Sequence, residues 1–221
     1  MTISPSTNSL SWRLGITGGI ATGKSSVAKI LSSQHSLLIL DADQLAKEVL
    51  ADGSEACLAV LERFGEEVRS NNTASESKCL DRKALARVIF QNTKEKHWLE
   101  QLVHPMVREG LQHALNANDS VAIVVLMIPL LFEAGMQDLC DEIWLVECDE
   151  SQQLERLMSR DGLSRTAART RIDNQWPLAR KRDLADVLIN NSHSFDSLVE
   201  EVSQAIATTH LRLRQESCSP V

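Results

Sequence analysis

Short apolar runs alternate with helical stretches along most of this chain. A run of apolar residues without polar interruption is typical of a strand buried on both faces of a parallel sheet. Such runs lie at 37–40, 121–128, 143–146 and 187–189, and a mostly apolar run, interrupted by Arg13, comes before them at 12–16. Helical periodicity follows the first run at 25–31 and closes the pattern at 197–206. The alternation predicts an α/β fold, with the strongest run, 121–128, at the centre of its sheet.

Residues 51–117 interrupt this alternation with mostly helical periodicity. The segment is too long for one crossover between neighbouring strands, so it predicts a helical subdomain inserted into the fold. A polar loop at 71–78 divides the segment. Pro105, after His104, predicts a helix break, because an interior proline removes a hydrogen-bond donor and clashes with the preceding turn.

Residues 150–185 carry eight basic and five acidic side chains, in a chain whose net charge is −7. A basic helical segment has the charge needed to close over phosphates, which predicts a lid. The alternative is a solvated helical face with alternating charges, which is the commonest role of such segments. Most of the positive charge belongs to arginines, and this favours the lid.

These segments predict one domain at 12–206, with an insertion at 51–117 and a lid at 151–185. The core of that domain consists of 12–50, 118–150 and 186–206. Flexible tails are expected at 1–11 and 207–221.

Composition narrows the functional classes. No apolar run approaches the roughly 20 residues needed to span a bilayer, and the first residues lack the basic-then-apolar pattern of an export signal. We therefore expect a cytoplasmic protein without membrane contact, and the net charge of −7 argues against nonspecific nucleic-acid binding. The five cysteines lack metal-binding spacing and predict reduced thiols rather than disulfides or a zinc site.

The chemistry is concentrated directly after the first apolar run. The P-loop pattern lies between a predicted strand and a predicted helix, and it consists of Gly18, four further residues and Gly23-Lys24-Ser25. Glycines let successive N–H groups face an anion, Lys24 can reach the β- and γ-phosphates, and Ser25 can bind Mg²⁺. The loop predicts nucleoside triphosphate binding by Gly18, Ala21, Thr22, Gly23, Lys24, Ser25 and Ser26.

Two carboxylates follow the apolar run at 37–40. Asp41 or Asp43 can cap the helix predicted at 44–50. Ligands of open α/β sheets bind beyond the carboxyl ends of strands, where both side chains lie. Since one cap needs one carboxylate, Asp43 is predicted to have a functional role.

Missing motifs exclude two classes of P-loop protein. The strings Asn-Lys-x-Asp and Asp-x-x-Gly, expected in a GTPase, do not occur. A transporter ATPase needs a central strand ending in Asp-Glu, but the run at 121–128 ends without an acid, and Asp149-Glu150 follows an outer run. A kinase needs a triphosphate cradle, an acceptor site, a base and an arginine lid, and the chain has a candidate for each.

The ordered motifs over 12–206 resemble those of the dephospho-CoA kinases. Beyond the P-loop they are Asp41-Ala42-Asp43, Phe64-Gly65, Leu80-Asp81-Arg82, His104-Pro105, Ile128-Pro129-Leu130-Leu131-Phe132-Glu133, Gln153-Leu154-Glu155-Arg156-Leu157, Gln175 and Ala185-Asp186-Val187-Leu188-Ile189-Asn190-Asn191. The resemblance implies a nucleotide-kinase-like three-layer fold with a five-stranded parallel sheet, a helical CoA-binding insertion and a helical lid. It also implies ATP-dependent phosphorylation of the ribose 3′-hydroxyl of dephospho-CoA, giving CoA and ADP.

The resemblance further implies roles for individual residues. Asp43 matches the proposed base for the acceptor hydroxyl, and Arg156 and Arg160 match lid arginines near the triphosphate. With Lys24, Asp43 and Arg156 are the implied catalytic residues, while Mg²⁺ would be bound by Ser25 and Asp43.

Some positions depart from the family pattern. Ala21 and Thr22 replace the usual Gly and Ser, which constrains the backbone at Ala21, and Lys47 stands where the family often has Arg. Met127 occupies a position that is often acidic, so Mg²⁺ binding depends more on Ser25, Asp43 and water. The P-loop and lid alone leave open another nucleoside or nucleotide kinase, or a nucleotide-dependent binding module. They make no prediction of oligomeric state.

Overall fold

The computed structural model describes residues 11–70 and 80–217, without the side chains of Phe90, Glu216 and Ser217. The leader before residue 11, the polar loop predicted at 71–78, Cys79 and Cys218 lie outside the described residues. Within the described ranges, no helix is long and apolar enough to cross a membrane.

The described residues form a five-stranded parallel sheet, which confirms the predicted α/β fold. Its strands are β1 (Trp12–Gly18), β2 (Leu38–Asp41), β3 (Ile123–Met127), β4 (Glu142–Glu147) and β5 (Val187–Asn190). Their order is β2-β3-β1-β4-β5, so β1 is central. The prediction of a central strand at 121–128 is therefore wrong by one place. Both strands are buried, and an apolar run does not distinguish adjacent inner positions.

Two helices cover one face of this sheet. They are α1 (Lys24–His35), which follows β1, and α9 (Phe195–Ser217), which closes the chain. Their buried residues pack against alternate residues of the strands, because successive strand side chains point to opposite faces. The cluster contains Val27, Ile30 and Leu31 of α1, Leu198, Val202 and Ile206 of α9, and Leu14, Ile16, Val125, Trp144 and Ile189 of the sheet.

Helix α9 continues to Ser217, so the flexible tail predicted from residue 207 is wrong for 207–217. A buried polar contact explains the continuation. The Thr209 hydroxyl donates to Glu142 Oε1 at 2.9 Å, and Arg212 Nη1 lies 3.2 Å from Glu142 Oε2. Because Glu142 is only 2% exposed, its carboxylate needs these partners, and the helix must extend far enough to supply them.

The predicted lid at 151–185 consists of helices α6 (Glu150–Asp161), α7 (Arg165–Asp173) and α8 (Leu178–Arg182). Gly162, with a φ of 65°, ends α6, and the Ser164 hydroxyl caps α7 by accepting from the Ala167 N–H. These helices belong to the same compact unit as the sheet, which comprises Met1–Leu40 and Leu115–Val221.

The second compact unit, Asp41–Ala114, is helical. It begins at Asp41, ahead of the insertion predicted from residue 51. Its helices are α2 (Ala42–Val49), α3 (Glu55–Phe64), α4 (Arg82–Gln91) and the greater part of α5 (Thr93–Asn116). Its buried core contains Cys57, Val60, Val68 and Leu85.

Helix α5 passes through Pro105 without ending, so the predicted break there is wrong. Val103, Val107 and Leu111 are buried on either side of the proline. A proline removes one backbone hydrogen bond, whereas this apolar face stabilises the helix over several turns. Tertiary packing therefore outweighs the local preference.

Candidate active site

The P-loop connects β1 to α1, as the sequence predicts. Gly23 is the N-cap of α1 with a φ of 103°, a left-handed conformation that favours glycine. A side chain at this position would also collide with the amide of Asn191. The turn at Gly23 leaves the first backbone N–H groups of α1 at the end of the loop, where the helix dipole favours an anion.

Lys24 and Thr22 both contact the loop itself. Lys24 Nζ donates to the carbonyl oxygens of Gly19 at 2.7 Å and Gly18 at 3.3 Å. The buried Thr22 hydroxyl donates to the Gly19 carbonyl at 2.9 Å. Ser25 is exposed in the first turn of α1, whereas the hydroxyl of Thr22 is held inside the loop.

Ala21 has a φ of 60°, in the left-handed region that residues with a Cβ rarely adopt. The sequence predicts a constrained backbone at this position, and the structure confirms it. Left-handed backbone costs about 1–2 kcal/mol for such a residue. The surrounding contacts must therefore stabilise this conformation.

The two arginines predicted to belong to the lid occupy different environments. Arg156, on α6, donates from Nη2 to the Asn191 carbonyl at 2.9 Å, and Asn191 donates from Nδ2 to the Thr22 carbonyl at 2.8 Å. One residue therefore separates Arg156 from the P-loop. Arg160 is more than half exposed, and it pairs with Asp161 at 2.8 Å, which lowers the pKa of that carboxyl group.

A cleft of about 650 Å³ opens beside the P-loop at Gly19. Its walls come from the end of β4, from α6 and α7, from the segment at 175–182 and from the end of β5. Glu147 and Arg182, both on the lining, are paired at 2.5 Å, and this hydrogen bond raises the pKa of Arg182. A volume of this size is sufficient for a nucleoside.

The wall of the cleft at Trp176 is fixed by Glu133, which follows β3. Glu133 Oε1 accepts the backbone N–H of Trp176 at 3.1 Å and lies 2.7 Å from Lys181 Nζ. The Arg180 guanidinium stacks on the Trp176 ring, 3.3 Å from its centroid. Lys181 is fully buried, so this ion pair forms inside the protein.

Sequence reasoning assigned no role to three amide side chains that contact the P-loop. They are Gln153 on α6, Gln175 after α7 and Asn191 after β5. All three lie in motifs of the family resemblance, which was the available signal. Their chemistry was not visible, because an amide has no charge and no characteristic spacing.

The two carboxylates at the end of β2 and the start of α2 have different roles. Asp41 is the N-cap of α2, and its Oδ1 accepts the N–H groups of Asp43 at 2.8 Å and Gln44 at 3.4 Å. Asp43 is exposed in the first turn of that helix. The cap is therefore made by Asp41, and it does not require the carboxylate of Asp43.

No group of three or more His, Cys, Asp or Glu side chains that could hold a metal occurs among the described residues. An exposed hydroxyl is available from Ser25 at the N-terminus of α1. This suits Mg²⁺ that arrives with a nucleotide, because Mg²⁺ binds through substrate phosphates, waters and one or two protein oxygens.

Cys57, Cys140 and Cys148 are free thiols, while Cys79 and Cys218 lie outside the described residues. Burial raises the pKa of Cys140 to about 12 and also raises the pKa of Cys148. Raised values disfavour the reactive thiolate, so these two thiols are suited to packing.

Comparison with known proteins gives consistent matches. Residues 12–197 match the family model described as CoaE, Dephospho-CoA kinase. A dephospho-CoA kinase of Synechococcus sp. (strain CC9605) is 55% identical over 182 residues, which are 82% of this chain and 86% of that protein. A solved structure from Thermus thermophilus covers 90% of this chain and 97% of its own, with 34% identity and a TM-score of 0.75. A dephospho-CoA kinase from Campylobacter jejuni covers 88% and 95%, with 28% identity and a TM-score of 0.63.

Proposed function

Because this chain belongs to the dephospho-CoA kinase family, we propose that its P-loop binds the triphosphate of ATP and that Asp43 activates the acceptor hydroxyl. The family catalyses the last step of CoA biosynthesis, and this chain is a transferase of that class. Kinases of this family use ATP. The observation that carries the proposal is the P-loop at the N-terminus of α1, with Lys24 Nζ 2.7 Å from the Gly19 carbonyl.

On the donor side, the loop supplies the groups that a triphosphate needs. Backbone N–H groups at the start of α1 bind phosphate oxygens, and the Lys24 ammonium reaches the β- and γ-phosphates from its place beside Gly19. Arg156 adds a guanidinium next to the loop through Asn191. Among the residues that the structure describes, its buried Nη1 has no hydrogen-bond partner, which leaves it able to donate to an oxyanion. The role of Arg160 remains a prediction, because its guanidinium is paired with Asp161.

The nucleoside of ATP would occupy the cleft of about 650 Å³ beside Gly19. This position is contiguous with the P-loop, and the Trp176 ring on its wall gives an aromatic surface for a base. Mg²⁺ would be bound by Ser25, with Asp43 as the carboxylate available on the acceptor side. It would neutralise charge on the phosphate oxygens.

On the acceptor side, the ribose 3′-hydroxyl of dephospho-CoA donates its proton to Asp43 as its oxygen attacks the γ-phosphorus. The new O3′–P bond forms in line with the breaking bond to the bridging oxygen, and ADP leaves with that oxygen. Lys24 and Arg156 stabilise the charge on the transferred group, so most of the rate comes from positioning and electrostatics. A cleft closed to water protects ATP from hydrolysis.

Asp43→Asn tests the proposed base. We expect turnover to fall about 100-fold or more while ATP affinity and the melting temperature stay near those of the wild type. Asp41→Asn is the matched control, since it removes the same charge two residues away and asparagine caps helices as well as aspartate. A fully active Asp43→Asn enzyme would remove Asp43 from the mechanism.

Lys24→Ala tests the donor site and should abolish transfer, because the triphosphate loses its mobile cation. Lys29→Ala serves as its control, since Lys29 is exposed on the same helix. Unchanged turnover in Lys24→Ala would exclude the proposed role of the loop. The identity of the acceptor is tested by measuring ADP formation from ATP with dephospho-CoA, a nucleoside, a nucleoside monophosphate or no acceptor. Of these additions, only dephospho-CoA should accelerate ADP formation.

A further inference from the structure

The peptide groups of Ile20 are held by two glutamines from outside the P-loop. The Ile20 N–H donates to Gln175 Oε1 at 2.8 Å, and the Ile20 carbonyl accepts from Gln153 Nε2 at 2.8 Å. Gln153 lies on α6, and Gln175 follows α7. Two lid segments thus fix the backbone immediately before the left-handed residue Ala21.

The two bonds have opposite polarity, and this sets the orientation of each amide. Gln175 faces an N–H and must present its oxygen, whereas Gln153 faces a carbonyl and must present its nitrogen. A carboxylate can replace the oxygen of Gln175 as an acceptor. It cannot replace the nitrogen of Gln153 as a donor.

Burial makes the hydrogen bond from Gln153 to the Ile20 carbonyl costly to lose. Gln153 is 3% exposed, so an unpaired polar group there would have little access to water. Its amide also lies so close to Gly19 that a Cβ on that glycine would come within 2.5 Å of Gln153 Nε2. The Gln153 side chain is therefore packed directly against the loop, which has no room for a larger residue at Gly19.

Apolar packing supports the same arrangement. Ile20 and Ala21 pack against a buried cluster from α6 and α7, formed by Leu154, Leu157 and Ala168. The two hydrogen bonds and this packing together restrain a loop segment whose left-handed residue would otherwise relax.

We propose that Gln153 and Gln175 are positioning residues that fix the Ile20 peptide groups and so hold the P-loop in its nucleotide-binding shape. Neither side chain needs to contact the reacting atoms. The inference rests on the proposed donor role of the P-loop. It predicts that the lid helices contribute to ATP binding through the backbone of the loop, in addition to any contact of their arginines with phosphate.

Matched substitutions test this assignment. Gln153→Glu and Gln175→Glu add the same charge at two positions that both contact Ile20. Electrostatic repulsion of ATP should therefore raise the KM for ATP in both variants. We expect Gln153→Glu to raise the KM for ATP about tenfold or more above that of Gln175→Glu, because only Gln153→Glu loses its bond and sets a carboxylate against a carbonyl. The KM for dephospho-CoA should change less than about twofold in either variant.

Gln153→Met provides a second measurement in case Gln153→Glu does not fold, since it removes the donor without adding charge. Its KM for ATP should rise several-fold, and its KM for dephospho-CoA should again stay constant. Equal ATP KM values for Gln153→Glu and Gln175→Glu would overturn the proposal, as would an unchanged value in Gln153→Met. Failure of the proposed donor role of the P-loop can be distinguished from failure of this positioning role, because in the first case Lys24→Ala would retain turnover.

Discussion

The buried pair of Glu133 and Lys181 offers a quantitative test of what fixes the cleft wall. Lys181 is fully buried, and its Nζ lies 2.7 Å from Glu133 Oε1. The same oxygen accepts the Trp176 N–H at 3.1 Å, so one carboxylate joins the turn after β3 to the segment at 175–182. Removing one member of such a pair leaves an uncompensated charge or a buried acceptor without its cation.

The magnitude follows from the burial of each partner. Glu133→Gln leaves the Lys181 ammonium buried without a counter-charge, which costs roughly 3–5 kcal/mol. Lys181→Met should cost less, because 15% of the Glu133 side chain is exposed and Trp176 still donates to it. For a chain of this length, each kcal/mol lowers Tm by roughly 2–4 °C, so Glu133→Gln should lower Tm by roughly 6–20 °C.

The double variant Glu133→Gln with Lys181→Met decides whether the effect belongs to the pair. It removes both charges and keeps an amide oxygen for the Trp176 N–H, so it should be more stable than Glu133→Gln. Urea unfolding of the four proteins would measure a coupling of about 2 kcal/mol. Losses that add within about 0.5 kcal/mol would refute the reasoning, since the two side chains would then act independently.

Three further predictions concern single residues. Ala21→Gly should change Tm by no more than a few degrees, because relief of left-handed strain is offset by a more flexible unfolded chain, whereas Ala21→Val should clearly lower it. Burial raises the pKa of Cys140 to about 12, so at pH 8 its alkylation in the folded protein should be about 1000-fold slower than in the unfolded chain. Mass spectrometry of the peptide that contains Cys140 would measure both rates, and equal rates would contradict the prediction. Burial lowers the pKa of His104, so as the pH falls the unfolded state binds a proton at this residue before the folded state does. The stability of the protein should therefore fall as the pH drops below about 6.5. His104→Gln should flatten this part of a Tm–pH profile, and an unchanged slope would contradict the role given to His104.

Local signals predicted the parts of the molecule that depend on local chemistry. The P-loop follows a buried strand and precedes α1, and Ala21 has the strained backbone expected where glycine is usual. Capping is also local, so the sequence limited the N-cap of α2 to Asp41 or Asp43, and the structure identifies Asp41. Both features are governed by a few neighbouring residues.

Long-range packing accounts for what the sequence did not predict. Pro105 lies inside α5 because buried residues on both sides stabilise the helix, and no local rule includes that packing. Gln153 and Gln175 contact the loop from more than 130 positions away along the chain. A neutral amide carries no sign of its partner until the fold brings the two together.

Some arginines of the predicted lid have the contacts of a solvated helical face, whereas another lies beside the P-loop, as expected for a lid over phosphates. Arg160 and Arg171 pair with Asp161, and Arg169 pairs with Glu150 and Asp173 on exposed helix faces, as expected for a solvated face with alternating charges. Arg156 instead donates to Asn191 beside the P-loop. Net charge therefore identified the segment but could not assign its residues, because charge does not specify which side of a helix is buried. Apolar and amide side chains of this segment contact the loop, so the contact of the predicted lid with the P-loop depends on packing and neutral hydrogen bonds as well as on charge.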